Sequence, residues 1–99
     1  MKKKFNTKVI HSGHGPDKET GSVMPPIHLS STFKQIEPGK FKYEYARTKN
    51  PSRDILEKLL AELESGESAF AFASGMSAIN TICDLFGSDY HIVCSDDVY

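Results

Sequence analysis

The residues 74–76 have types and spacing that could bind an anion. An apolar run stops at Ser74 and Gly75, and apolar residues with helical spacing begin at Met76. This order predicts a buried strand, a tight turn and the first turn of a helix. The first N–H groups of a helix have no partner inside it, and the helix dipole favours negative charge there. The turn could therefore seat a phosphate, although many turns of this kind serve packing alone.

Tyr45 and Arg47 form a second candidate for anion binding. A guanidinium holds phosphate through a planar, two-pronged fork that lysine cannot reproduce. Taken by themselves, both residues also suit the surface of a loop. His11 and His14 could present two metal ligands on one helical face, but Gly13 interrupts the helix. We interpret the histidines as polar loop residues and predict no metal site.

The composition is that of a soluble globular protein, with 38% apolar and 25% charged residues in a chain of 99. No apolar run approaches the roughly 20 residues of a membrane helix. The basic start is followed by a polar stretch, which argues against a secretory signal. Cys83 and Cys94 lie among apolar residues, so we predict buried free thiols in a reducing, cytoplasmic compartment.

Charge is distributed unevenly along the chain. All 12 basic residues lie at or before Lys58 together with six of the 13 acids, so residues 1–58 carry +6. The other seven acids give residues 59–99 a charge of −7. The basic residues are scattered among acids and prolines, which disfavours a nucleic-acid partner. Segments of opposite charge can instead dock on each other or on partner chains.

The second half of the chain predicts an α/β unit. Asn50 and Pro51 suit the cap and first position of a helix, which we place at 51–64 with Gly66 as its C′ residue. A strand at 68–73, a helix at 76–86 and a strand at 91–95 follow. Strand, helix and strand form a parallel crossover unit, and ligands bind at the carboxyl ends of such strands. Tyr99 should then lie at the same edge as the turn at 74–75.

The first half, residues 1–49, has no strong periodic element beyond a short helix that could begin at Asn6 or Thr7. It contains too many aromatic residues for a typical disordered tail. We predict an extended arm that lies on another surface, that of a neighbouring subunit. Residues 50–99 would then begin a larger domain, because two strands cannot make a stable sheet covered by helices.

Five motifs in register resemble the Cys/Met-metabolism enzymes that depend on pyridoxal 5′-phosphate, a family that includes cystathionine γ-synthase, cystathionine γ-lyase and methionine γ-lyase. The matching segments are Thr7–Gly13, Thr20–Ile27 with Ser31–Phe33, Tyr43–Arg47 with Asn50–Pro51, Ser74–Ala78 and Asp96–Tyr99. The resemblance implies the start of the large domain of a fold type I enzyme, related to aspartate aminotransferase. Ala46 stands where serine is common in the family.

The resemblance also implies roles for single residues. Gly75 and Met76 match the pair whose backbone amides hold the cofactor phosphate. Tyr45 and Arg47 match the pair that reaches this phosphate from the neighbouring subunit. Tyr99 matches the tyrosine that stacks on the pyridine ring and transfers protons. We assign the cofactor-binding lysine to none of the ten lysines present, because the family's lysine lies far downstream.

The function implied is β- or γ-elimination or γ-replacement on cystathionine, homocysteine, methionine or O-acylhomoserine-type amino acids, in a homodimer or homotetramer without nucleic-acid or membrane partners. We expect the chain to be the N-terminal part of such an enzyme and to be inactive alone. The alternative is a non-catalytic remnant or a subunit-interaction arm.

Overall fold

Three helices form the regular structure of residues 4–99, the part of the chain that the computed structural model describes. They are α1 (Phe5–His11), α2 (Pro51–Leu63) and α3 (Gly75–Cys83). Within these residues no strand longer than an isolated bridge is present, and the two bridges pair Thr32 with Tyr45 and Glu37 with Lys40. No helix in this range is both long enough and apolar enough to cross a membrane.

Helix α2 begins where the sequence predicts. The Asn50 side chain accepts a hydrogen bond of 2.8 Å from the N–H of Ser52, and Pro51 occupies the first turn. The prediction for its other end is wrong by one residue. Ser65 has the left-handed backbone, with φ of 58°, and the N–H of Gly66 bonds the carbonyl of Ala61 at 2.8 Å. Gly66 is therefore the second residue beyond the cap, in a Schellman arrangement.

Helix α1 packs on α2, and Gly13, two residues beyond the end of α1, also approaches α2 closely. Gly13 has a φ of +80°, and a Cβ there would lie 2.6 Å from the carbonyl oxygen of Ile55. Only glycine allows this approach together with that backbone conformation. Ser12, which precedes it, is 2% exposed. The contact joins the start of the chain to the middle of α2.

The segment between α1 and α2 runs over the N-terminal half of α2. Residues 31–33 and 44–46 pair antiparallel, through bonds such as that from the Ala46 N–H to the Ser31 carbonyl at 2.7 Å. The Phe33 and Tyr43 rings lie 5.5 Å apart, and the Tyr43 hydroxyl donates to Asp54 of α2 at 3.0 Å. Parts of this segment are thus held by α2 of the same chain. The division of the chain at residue 49 stays a prediction.

The two predicted strands are not paired. Residues 68–73 and 91–95 form no ladder with each other or with any other described segment. A strand needs a neighbour to accept its hydrogen bonds, and neither segment has one within residues 4–99. Helix α3 also ends at Cys83 rather than near residue 86. Helix α3 packs on neither of the other two helices. Cys83 and Cys94 are both exposed, so the prediction of buried thiols is wrong.

The shape of the chain is open. Its radius of gyration is 17.6 Å, whereas a compact domain of this length has about 13 Å. Its accessible surface is 8862 Å², and a folded monomer of the same mass would expose about 5600 Å². Among the described apolar residues only Ala61 is buried. Much of the apolar surface is therefore suited to burial against further protein.

Candidate functional site

Tyr45 stands at the start of a tight turn that precedes α2. Its carbonyl accepts from the N–H groups of Thr48 and Lys49, both at 3.0 Å, and from the Thr48 hydroxyl at 2.8 Å. One carbonyl with three donors fixes the turn, so the side chains that it carries project from a defined backbone.

The side chains of Tyr45 and Arg47 lie together on this turn. The Arg47 guanidinium donates to the Tyr45 hydroxyl at 3.2 Å and lies 5.1 Å from the centre of its ring. Both residues are exposed, Tyr45 by 38%. The pair presents a cation and a phenol to a ligand, which together suit a phosphate or carboxylate.

A third residue, Arg53 of α2, holds the same turn from behind. Its guanidinium donates to the carbonyls of Ala46 at 3.5 Å, Arg47 at 3.4 Å and Thr48 at 2.6 Å. Arg53 was not predicted from the sequence. The only signal for it was an arginine three residues after the cap, within reach of the preceding turn.

Glu57, one helical turn further along α2, links the helix to the segment that leads to Ser74. Its carboxylate lies 3.6 Å from the Arg53 guanidinium and accepts from the N–H of Ala71 at 3.0 Å. An open cleft of about 390 Å³ is lined by both charged residues together with residues 70–72. This residue was also missed, because an i, i+4 ion pair is an ordinary feature of helix surfaces.

Ser74, Gly75 and Met76 form the N-terminus of α3, as the sequence predicts. The Ser74 hydroxyl accepts from the Ser77 N–H at 3.1 Å and so caps the helix. Within residues 4–99 the N–H groups of Gly75 and Met76 make no hydrogen bond. A Cβ at Gly75 would meet nothing within 4 Å. Two free donors beside open space suit a phosphate group.

The predicted site residues fall into three separate places. Tyr45 and Arg47 lie together, and so do Gly75 and Met76, but among the described residues no hydrogen bond or ion pair joins the two pairs. Tyr99 is fully exposed and has no side-chain partner in the same range. The two candidate pairs thus lie on one chain without a hydrogen bond between them in the described residues.

Tyr43 and Asp54 lie beside the turn and complete its polar surroundings. Burial, followed by the hydrogen bond and negative charge of Asp54, raises the pKa of the Tyr43 hydroxyl above its usual value. The Lys49 ammonium lies 3.8 Å from the same carboxylate. The hydroxyl therefore stays protonated and keeps donating to Asp54 near neutral pH.

Two segments of this helical scaffold carry donors that suit an anion, one at the N-terminus of α3 and one on the turn of Arg47. Comparison with known proteins gives the family. Residues 6–99 match the family described as Cys/Met metabolism PLP-dependent enzyme. The chain belongs to this family, whose cofactor is pyridoxal phosphate.

Known relatives agree with this assignment. The chain is 52% identical to the cystathionine γ-lyase of Bacillus subtilis in an alignment 100 positions long, which covers 100% of this chain and 26% of the relative. It is 50% identical to the cystathionine β-lyase of Coxiella burnetii over 99 residues, which are 99% of this chain and 26% of that protein. The chain thus spans about a quarter of the length of the curated relatives it matches.

Solved structures confirm the fold at the level of the family. The crystal structure of a cystathionine γ-lyase, CalE6, from Micromonospora echinospora has a TM-score of 0.87 and 39% identity, covering 99% of this chain and 26% of that one. The cystathionine γ-lyase from Lactobacillus plantarum, complexed with L-serine, has a TM-score of 0.78 and 50% identity over 85% of this chain and 22% of that one. These neighbours are fold type I enzymes, as predicted.

Proposed function

We propose that this chain is the part of a transsulfuration-type enzyme that supplies both halves of a cofactor-phosphate clamp. The observation that carries the proposal is membership of a pyridoxal phosphate family over residues 6–99, with two free anion-binding segments in that range. The reaction would be elimination or replacement at the β or γ carbon of cystathionine, homocysteine, methionine or an O-acylhomoserine. The relatives named cystathionine lyase support this substrate class.

Each residue has a defined task in this proposal. The N–H groups of Gly75 and Met76 bind the phosphate from one side, and the Arg47 guanidinium and Tyr45 hydroxyl bind it from the other. Tyr99 stacks on the flat heterocycle and moves protons at its phenol oxygen. Bound pyridoxal phosphate supplies an electron sink, and the chain supplies orientation and electrostatics.

The two halves of the clamp belong to different subunits in this proposal. Support comes from the absence, within residues 4–99, of any hydrogen bond between the turn of Arg47 and the N-terminus of α3. The large accessible surface also suits assembly of the chain into a homodimer or homotetramer. We place the assembled enzyme in the cytoplasm, with amino-acid substrates and copies of itself as partners.

Hybrid assemblies test the proposal. One chain carries Arg47→Ala and the other carries Gly75→Asp, whose carboxylate would repel a phosphate at the helix N-terminus. Each variant alone should lose tight cofactor binding. Hybrids purified through two different tags should regain it, because one interface then combines two intact halves. The measurement is titration of the assembled protein with pyridoxal phosphate, followed by fluorescence.

Two controls make the result specific. Gly87→Asp adds the same group at another glycine whose Cβ would meet nothing within 4 Å, and it should leave binding unchanged. If Arg47→Ala bound the cofactor with wild-type affinity, Arg47 would not be part of the clamp. Hybrids that bind no better than their parents would place both halves in one chain and contradict the exchange between subunits.

A further inference from the structure

We propose that Arg53 and Glu57 are positioning residues that hold the two halves of the cofactor clamp at a fixed separation on α2. This inference rests on the function proposed above. Neither residue needs to touch the cofactor. Each fixes one of the segments that would touch it, and the two are joined by their own ion pair.

Arg53 fixes the half that the chain would give to its neighbour. Its guanidinium binds three consecutive carbonyls, with the shortest bond, 2.6 Å, to Thr48. These carbonyls belong to the turn that carries Tyr45 and Arg47. A guanidinium has five N–H donors in a fixed planar fork, which lets one side chain bond several carbonyls at once. The contact sets where the Arg47 backbone stands and leaves the Arg47 side chain free to bind.

Glu57 fixes the half that the chain would keep. It accepts from the Ala71 N–H at 3.0 Å, three residues before Ser74. Since residues 68–72 have no strand partner in the described part of the chain, this bond is a tether between α2 and the approach to α3. The carboxylate oxygen that accepts this N–H also lies 3.6 Å from the Arg53 guanidinium, so a hydrogen bond and an ion pair together orient the Glu57 side chain.

The helix sets the distance between the two contacts. Residues four apart lie on one face, one turn from each other. Arg53 and Glu57 thus tie the arginine turn and the segment leading to α3 to adjacent points of one rigid element. If the clamp closes between chains, the α2 helix of one chain aligns segments that belong to two different cofactor sites. A change at the ion pair of Arg53 and Glu57 would then alter both sites of a dimer.

Double-mutant cycles in the assembled protein test the inference by the dissociation constant of pyridoxal phosphate. Arg53→Gln should weaken binding by roughly tenfold, the value of one charge-assisted hydrogen bond. In an Arg47→Ala background the same change should cost little, because Arg53 acts through the turn that carries Arg47. Glu57→Ala should still weaken binding in that background, since it acts through Ala71 on the other half.

A matched control and a conservative variant accompany the cycle. Lys58→Gln removes one positive charge from the same helix and should leave the dissociation constant unchanged. Arg53→Lys keeps the charge but loses the fork, and should fall between wild type and Arg53→Gln. Arg53→Lys also replaces Arg53→Gln in the cycle if Arg53→Gln does not fold. Melting temperatures of all variants separate a loss of folding from a loss of positioning.

The outcomes distinguish this inference from the function on which it rests. Unchanged binding in Arg53→Gln, or an equal loss with and without Arg47, overturns the positioning role while leaving the clamp intact. Unchanged binding in Arg47→Ala overturns the clamp itself, and the positioning role falls with it. A loss in Arg53→Gln that disappears in Arg47→Ala, together with a loss in Glu57→Ala that persists there, supports both.

Discussion

Helices α2 and α3 are both amphipathic and both capped by a polar side chain, yet they are held in different ways. Around α2, hydrogen bonds join residues far apart in sequence. The pairs are Lys8 with Glu62, His28 with Ser52, Tyr43 with Asp54, and Ala71 with Glu57. Between residues 72 and 99, every hydrogen bond joins residues two to four apart.

The difference shows which helix finds its packing partners among the described residues: α2 does, and α3 does not. A helix of nine residues is marginal when isolated, and most of its stability comes from packing of its apolar face. Ile79 and Ile82 of α3 are 52% and 54% exposed, so the residues described provide little packing. The relatives are about four times as long, and we expect further protein to cover this face of α3.

The strongest test of the comparison is a charge on the apolar face of α3. Ile79→Asp should lower the free energy of unfolding of the assembled protein by about 3 kcal/mol, because a covered carboxylate would lack a partner. The measurement is urea denaturation. Asn80→Asp adds the same charge to the neighbouring, exposed position and should cost far less. Equal effects of the two variants would mean that α3 is exposed to solvent, and the comparison would fail.

A smaller loss should follow from disturbing the contact between α1 and α2. Gly13→Ala places a methyl group 2.6 Å from the Ile55 carbonyl on a backbone with φ of +80°. Overpacking and backbone strain together should cost about 2 kcal/mol. Gly15→Ala is the matched control, because its Cβ would meet nothing within 4 Å. A melting temperature of Gly13→Ala equal to that of Gly15→Ala would show that α1 is not held on α2.

Local sequence signals predicted the parts of the fold that depend on neighbouring residues. Asn50 and Pro51 gave the start of α2, and the Ser74 hydroxyl caps α3 as its position suggests. The end of α2 was misplaced by one residue because glycine is the usual left-handed residue, whereas Ser65 takes that conformation here. Propensity favours one residue type and does not exclude another.

Contacts between distant segments could not be predicted in this way. The bond between Glu57 and Ala71 depends on how α2 meets the segment after it, and no local pattern encodes that meeting. The approach of Gly13 to Ile55 is hidden for the same reason. Of the candidate site, the motif resemblance supplied Tyr45, Arg47, Gly75, Met76 and Tyr99. It did not supply Arg53, whose partners are backbone carbonyls and carry no side-chain signature.

The smallest expected effect concerns one polar tether of α2, the bond from Tyr43 to Asp54. Tyr43→Phe should lower the free energy of unfolding by about 1 kcal/mol at neutral pH, the value of one hydrogen bond.

The raised pKa of Tyr43 adds a pH dependence to the stability of the protein. As pH rises past the ordinary tyrosine value of 10.0, the unfolded chain loses this proton before the folded chain does, so stability falls. Tyr43→Phe should lack that fall, whereas Tyr90→Phe, at an exposed ring, should keep it. Urea denaturation at neutral and alkaline pH measures the difference, and identical alkaline slopes in wild type and Tyr43→Phe would remove this bond from the tethers that distinguish α2.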